Sequence, residues 1–251
     1  MNAGPTTGRE AFSLIELLVS ITLLAIVSAM IYGAFFQVSN SSLKVKASLS
    51  QSQELRLLMK MVLDDLQAVQ YLEHFVEDEE SVAETGIIAE MVLGPESSEV
   101  SQIDFHAALP SRFYRDIESV REGMDPRLHE IGYRLELDTT RDVWQFKRRE
   151  DFYIDEDLRE GGREQILSES VIEFSVSFRI ETKTAAGFLE ESFEDYEWNT
   201  DERECFENIS NRCLPDAIQL SMSLKGESGE IVNDSQVINL CVRPCKPELF
   251  K

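Results

Sequence analysis

The chain opens on a short polar leader and then turns almost wholly apolar. Of the 26 residues from Ala11 to Phe36, twenty are apolar; the exceptions are Ser13, Glu16, Ser20, Thr22, Ser28 and Gly33. One helix of that length covers the roughly 30 Å hydrocarbon core of a bilayer. A cleavable secretory signal has an apolar core of only about 7–15 residues. The pattern therefore predicts a membrane-inserted helix over residues 12–36, behind a leader of residues 1–11. Glu16 is the one charged residue in the run. A carboxylate in hydrocarbon is expensive unless something compensates it, which makes Glu16 a functional candidate. The competing reading is that it snorkels to the interface from the end of the segment.

After Asn40-Ser41-Ser42 the pattern becomes amphipathic. Leu55, Met59, Val62, Leu66 and Val69 recur at spacings of three and four, one stripe of an α-helix. The helix is expected from about residue 13 to 72, softened near Gly33 to Ser42, with residues 37–72 as its amphipathic continuation. Its stripe would be buried against a sheet of the same chain, or in a coiled coil with a partner. Beyond it, residues 73–251 read as β-rich. Period-two alternation marks Ile103 and Phe105, Ile131 to Leu137, Ile172 to Ile180, and Ile218 to Leu224. Asp138-Thr139-Thr140-Arg141 turns one strand back into Val143-Trp144-Gln145-Phe146. A Gly226-Glu227-Ser228-Gly229 turn leads on to Ile238, Leu240 and Val242. Residues 76–100 and 108–128 are expected to be loops. The fold class is α+β, a long N-terminal helix packed on antiparallel sheet.

Charge narrows the partners. The chain has 24 Lys and Arg against 47 Asp and Glu, a net charge of −23. Nucleic acid binding needs a basic footprint, so it is not expected. Four cysteines, Cys205, Cys213, Cys241 and Cys245, lie late in the chain. In an oxidising compartment they allow three pairings. Their gaps do not suit the paired-Cys spacing of a zinc site, so disulfides are expected. His74, His106 and His129 do not stand at metal-ligand spacing and are expected to be surface or half-buried histidines rather than ligands. Glu77-Asp78-Glu79-Glu80 and Asp155-Glu156-Asp157 lack the spacing of a calcium loop and read as solvated surface. Ser41-x-x-Lys44 matches a short nucleophile pattern but borders the apolar run, and no phosphate loop or nucleophile elbow appears. No catalytic residue, metal or cofactor is expected, and the chain is not read as an enzyme.

The run Ala11-Phe12-Ser13-Leu14-Ile15-Glu16-Leu17-Leu18-Val19 resembles the class III signal of type IV pilins and type II secretion pseudopilins. Ala11 stands where that family usually has Gly, and Gly33 where many pilins have Pro. The resemblance implies that a membrane prepilin peptidase and methyltransferase cuts between Ala11 and Phe12 and methylates the Phe12 amine. It also implies that Glu16 contacts the N-terminal amine of a neighbouring subunit during assembly. Within one cut chain, that amine would lie four residues from Glu16, about 6 Å along the helix axis.

A finer resemblance is to the J-type minor pseudopilin of the type II secretion system. It rests on the helix segment containing Leu63-Asp64-Asp65-Leu66, on the strand 171–180 followed by Trp198, and on Leu214-Pro215-Asp216-Ala217-Ile218-Gln219-Leu220. The resemblance implies a structural role at the tip of a periplasmic pseudopilus that assists export of folded proteins. The implied partners are the I-, K- and H-type minor pseudopilins, the major pseudopilin and the lipid bilayer. The implied place is the bacterial inner membrane, single-pass, with the C-terminal domain in the periplasm. A minor pilin of a type IV pilus, serving adhesion, motility or DNA uptake, is the alternative.

Overall fold

The computed structural model describes residues 13–70, 86–112, 128–152, 154, 157–179, 182–183, 189–190, 195–200, 214–226 and 229–240. The chain forms two compact units, Met1–Leu49 and Ser50–Lys251. Helix α1 runs from Leu14 to Gln67. The strands are β1 (Ile87–Leu93), β2 (Glu99–Ala108), β3 (Leu128–Asp138), β4 (Val143–Asp151), β5 (Arg163–Ser168) and β6 (Val171–Arg179). They continue as β7 (Thr182–Lys183), β8 (Leu189–Glu190), β9 (Trp198–Asn199), β10 (Ala217–Lys225) and β11 (Ile231–Asn239). A six-stranded sheet has the order β5-β4-β3-β2-β1-β9, a three-stranded sheet the order β11-β10-β6, and β7 pairs with β8. Every pairing is antiparallel, and the fold is α+β as the pattern predicts.

In the first unit, the residues of α1 from Leu14 to Ser42 are all exposed. In the second, the amphipathic stripe is buried: Leu55 is 4% exposed, Val69 8%, and Met59, Val62 and Leu66 0%. Each such side chain contributes roughly 1.5–3 kcal/mol when taken out of water. The stripe joins one core with residues of both large sheets. Tyr133 of β3 and Phe146 of β4 stack at 5.9 Å, and Phe146 meets Phe174 of β6 at 4.9 Å, bridging the sheets. Thus the stripe packs on the chain's own sheets, which account for the burial without a coiled-coil partner.

Two expectations need correction. The helix ends at Gln67, short of residue 72, because the next residues are captured by the sheet. Val69 bridges Ala107, the Gln70 amide donates to the His106 carbonyl at 2.9 Å, and the Ala108 amide donates to the Ala68 carbonyl at 2.8 Å. The stretch 76–100, expected to be loop, contains β1 and the start of β2. Ile87, Ile88 and Ala89 are all buried, so both faces of β1 begin apolar and alternation is lost.

The outer face of the six-stranded sheet carries a buried polar cluster. Asp104 pairs with Gly132, and Gly132 with Arg149, across β2, β3 and β4. A Cβ at Gly132 would come within 2.1 Å of the Asp104 Oδ1 atom, so only glycine leaves the carboxylate room. Arg149 is 1% exposed and donates to the carbonyls of Leu158 and Glu160, pinning the connection into β5. It faces Asp104 at 3.3 Å and Glu130 at 3.5 Å. Desolvation lifts the Asp104 carboxyl from 3.8 to about 6, against the pull of Arg149, Gln102 and Arg134.

A carboxyl raised on folding binds its proton more tightly in the native state. Its stabilising contribution is complete below about pH 4 and is lost as pH rises through about 6. Asp104→Asn should remove that dependence. The stability difference between wild type and variant should shift by on the order of 2–3 kcal/mol from pH 4 to pH 7, in urea titrations at each pH. A constant difference across that window would contradict the assignment.

Candidate functional site

Helix α1 starts on Ser13. The Ser13 carbonyl accepts the amides of Glu16 at 3.1 Å and Leu17 at 3.2 Å, and the Ser13 hydroxyl oxygen accepts the Glu16 amide at 3.3 Å. This is an N-cap in a Ser-x-x-Glu capping sequence, which sets Glu16 in the first turn where the helix dipole favours negative charge. Two hydroxyls of the run are satisfied within the helix: Ser20 donates to the Glu16 carbonyl at 2.7 Å and Thr22 to the Val19 carbonyl at 2.8 Å. Such back-bonding suits a polar side chain in lipid. The Glu16 carboxylate makes no hydrogen bond or ion pair with any described residue. Leu14 is 82% exposed and Ile15 73%, so the flanking apolar surface is uncovered too. The helix is long and apolar enough to cross a membrane.

A second constellation fastens the other end of α1 within the folded unit. Asp65 is 0% exposed. It accepts from Arg148 Nε at 2.8 Å, the Tyr133 hydroxyl at 2.6 Å and Arg112 Nη2 at 2.8 Å. Arg148 also pairs with the buried Glu150, which takes the Ser111 hydroxyl and the Arg112 amide. The buried Arg148 and the partly exposed Arg112 thus face two buried carboxylates. Burial and then the Asp65 carboxylate hold the Tyr133 phenol well above its usual range. Burial opposes the Arg148 charge, yet Tyr133, Asp65 and Glu150 keep that guanidinium above its usual range. Further along α1, Gln51 Nε2 donates to the Leu224 carbonyl at 3.0 Å, and Ser168 donates to Glu54 at 2.6 Å.

A family model described as the prokaryotic N-terminal methylation motif matches residues 7–32. The chain carries that motif. It is the signal of type IV pilins and pseudopilins, so the chain resembles that family at Ala11 to Val19, as read from the residues. Within the methylation motif, Glu16 stands in the first turn of the helix. Ala11 and Phe12 lie outside the described residues, as do Cys205, Cys213, Cys241, Cys245 and His74. No curated protein matches the chain. Its fold is similar to a chain in the GspK-GspI-GspJ complex from the enterotoxigenic Escherichia coli Type 2 Secretion System. Identity is 15% and the TM-score 0.38, over 74% of this chain and 97% of that one.

His106 and His129 are 0% exposed, buried deeper than the surface or half-buried placement expected. They sit on β2 and β3 with Glu130 and Glu150 as acidic neighbours at 3.8 and 4.0 Å. Among the described residues no group of His, Cys, Asp and Glu is arranged to hold a metal. Two features were missed from sequence. The Ser13 cap was visible as Ser-x-x-Glu but was counted as an interruption of the apolar run. Asp65 stands three residues after Val62 and four before Val69, on the stripe side of the helix, whereas its exposed neighbour Asp64 falls on the opposite face, so the helical period was the signal that could have found it.

Proposed function

We propose that the protein is a minor pseudopilin of a type II secretion system, most like the J-type, acting as a structural subunit at the tip of a periplasmic pseudopilus. The observation that carries this reading is the methylation motif laid on a capped, uncovered apolar helix whose one carboxylate has no partner among the described residues. Such a carboxylate is costly in lipid, and a cation that reaches it offsets the cost. A cut between Ala11 and Phe12 would create one, a methylated amine on Phe12. Contact between Glu16 and the amine of the next subunit would then make assembly the step that neutralises both charges.

In this reading the apolar helix anchors the chain in the bacterial inner membrane and the second unit stands in the periplasm. Its neighbours would be I-, K- and H-type minor pseudopilins above the major one, and its role is structural rather than catalytic. The J-type assignment draws on Leu63-Asp64-Asp65-Leu66 and the stretch Leu214 to Leu220. The helix segment includes Asp65, the residue that fixes α1 to the sheet. Mass spectrometry of the membrane-extracted mature chain should find it beginning at N-methylated Phe12. A chain starting at Met1, or beyond Glu16, would overturn the proposal.

A further inference from the structure

The link between β4 and β5 passes over the Arg149 side of the six-stranded sheet, and residues 157–162 form a compact strap there. The Arg159 amide donates to Asp157 Oδ1 at 2.9 Å and the Glu160 amide to the Asp157 carbonyl at 3.2 Å, which closes a turn. Leu158, inside that turn, is fully buried. Gly161 and Gly162 follow with φ of 72° and 73°, a left-handed conformation that glycine adopts without a Cβ penalty. A Cβ at Gly162 would come within 2.6 Å of the Glu150 carbonyl oxygen, so the strap ends flush against β4.

One guanidinium holds this strap to the sheet. Arg149 Nη2 donates to the Leu158 carbonyl, and Arg149 Nη1 to the Glu160 carbonyl. The same two nitrogens face carboxylates beneath the strap. Nη2 lies 3.3 Å from Asp104 of β2, and Nη1 lies 3.5 Å from Glu130 of β3. Each nitrogen thus serves one strap carbonyl and one buried acid, which a fork of donors allows.

The groups around Asp104 come from every strand of this face. Gln102 of its own strand lies at 3.4 Å, and Ile88 of β1 stands opposite it. Arg134 of β3 draws it toward ionisation, while itself paired with Glu164 of β5. Lys147 of β4 is held by Glu136 and Glu164. His106, two residues along β2, faces Glu130 at 3.8 Å, and Asp151 of β4 stands opposite Glu130. On the strap, Asp157 and Arg159 pair with each other at 3.8 Å.

We propose that residues 157–162 are a pH-gated strap, clasped by Arg149 over Asp104 in acid and released as Asp104 ionises beneath it. Burial holds the Asp104 carboxyl at about 6, against 3.8 for a hydrated one. Lifting the strap brings water to that carboxyl. The closed form binds the proton more tightly, so acid favours closure fully below about pH 4, and the advantage is lost as pH rises through about 6. The gap between 3.8 and 6 sets a ceiling of about a hundredfold on the change in opening. The device belongs to the folded unit, and its test does not depend on filament assembly.

The test is hydrogen exchange of the full chain in detergent at pH 4, 5.5 and 7, with exchange times scaled for the intrinsic pH dependence of the amides. The strap amides of Arg159 and Glu160 should exchange well before those of β6 and β10 at each pH, which marks a separate local opening. Their opening should rise by about tenfold or more from pH 4 to pH 7. Asp104→Asn should abolish that rise. Arg149→Lys, which keeps the charge but loses the fork, should raise strap opening at every pH. Strap amides that exchange in step with β6 and β10, or a strap opening that ignores pH, would overturn the proposal. A pH response that persists in Asp104→Asn would overturn it too. The wild-type series decides the matter even where a variant fails to fold.

Discussion

Asp65→Ala is expected to destabilise the folded unit by about 3 kcal/mol, because the buried Arg148 guanidinium loses one of its two carboxylate partners and keeps only Glu150. The Tyr133 hydroxyl loses its acceptor at the same time, at 2.6 Å in the wild type. Asp64→Ala is the control. Asp64 is exposed and, among the described residues, is joined only to Lys60 on the same helix face, so its loss should change stability by about 0.5 kcal/mol or less. Urea denaturation of the detergent-solubilised chain would read both, with the buried Trp198 as the fluorescent reporter. Equal effects of the two substitutions would mean that Asp65 does not hold α1 to β3 and β4.

Glu16→Ala is expected to separate insertion from assembly. Removing the carboxylate eases transfer of the helix into lipid by about 2–3 kcal/mol, so the amount of chain in the membrane fraction should hold or rise. Co-purification with neighbouring pseudopilins should fall by about tenfold or more, because the partner amine then has no carboxylate to meet. Wild-type recovery of those neighbours would remove Glu16 from the assembly step. Ser13→Ala makes a useful contrast. It weakens the cap by about 1 kcal/mol without deleting the charge, and assembly should survive it.

The elements that sequence revealed are those whose burial is one-sided. Leu55, Met59, Val62, Leu66 and Val69 face the core and their helical neighbours do not, so period and burial coincide. The alternation in β3, β4 and β10 was legible for the same reason. β1 was not, because Ile87-Ile88-Ala89 is buried on both faces and reads as neither period. Charged core residues were hidden more deeply. Lys147-Arg148-Arg149-Glu150 looks like a solvated strand end, yet Arg148, Arg149 and Glu150 are buried, and the two arginines pair with carboxylates from α1, β2 and β3. A charge reads as surface until its distant partner is known, and these partners lie 45 and 83 positions away in sequence. At the candidate site, Glu16 was conspicuous because it interrupts an apolar run. The Ser13 cap beside it was equally local, but its role follows only once the helix start is fixed.

The position of that cap bears on processing. Among the described residues, the first hydrogen bonds of α1 are accepted by Ser13 or by residues after it. They lie wholly on the product side of the scissile bond proposed between Ala11 and Phe12. Hydrolysis there would leave every one of these bonds in place. The capped first turn that carries Glu16 would pass intact from precursor to mature chain.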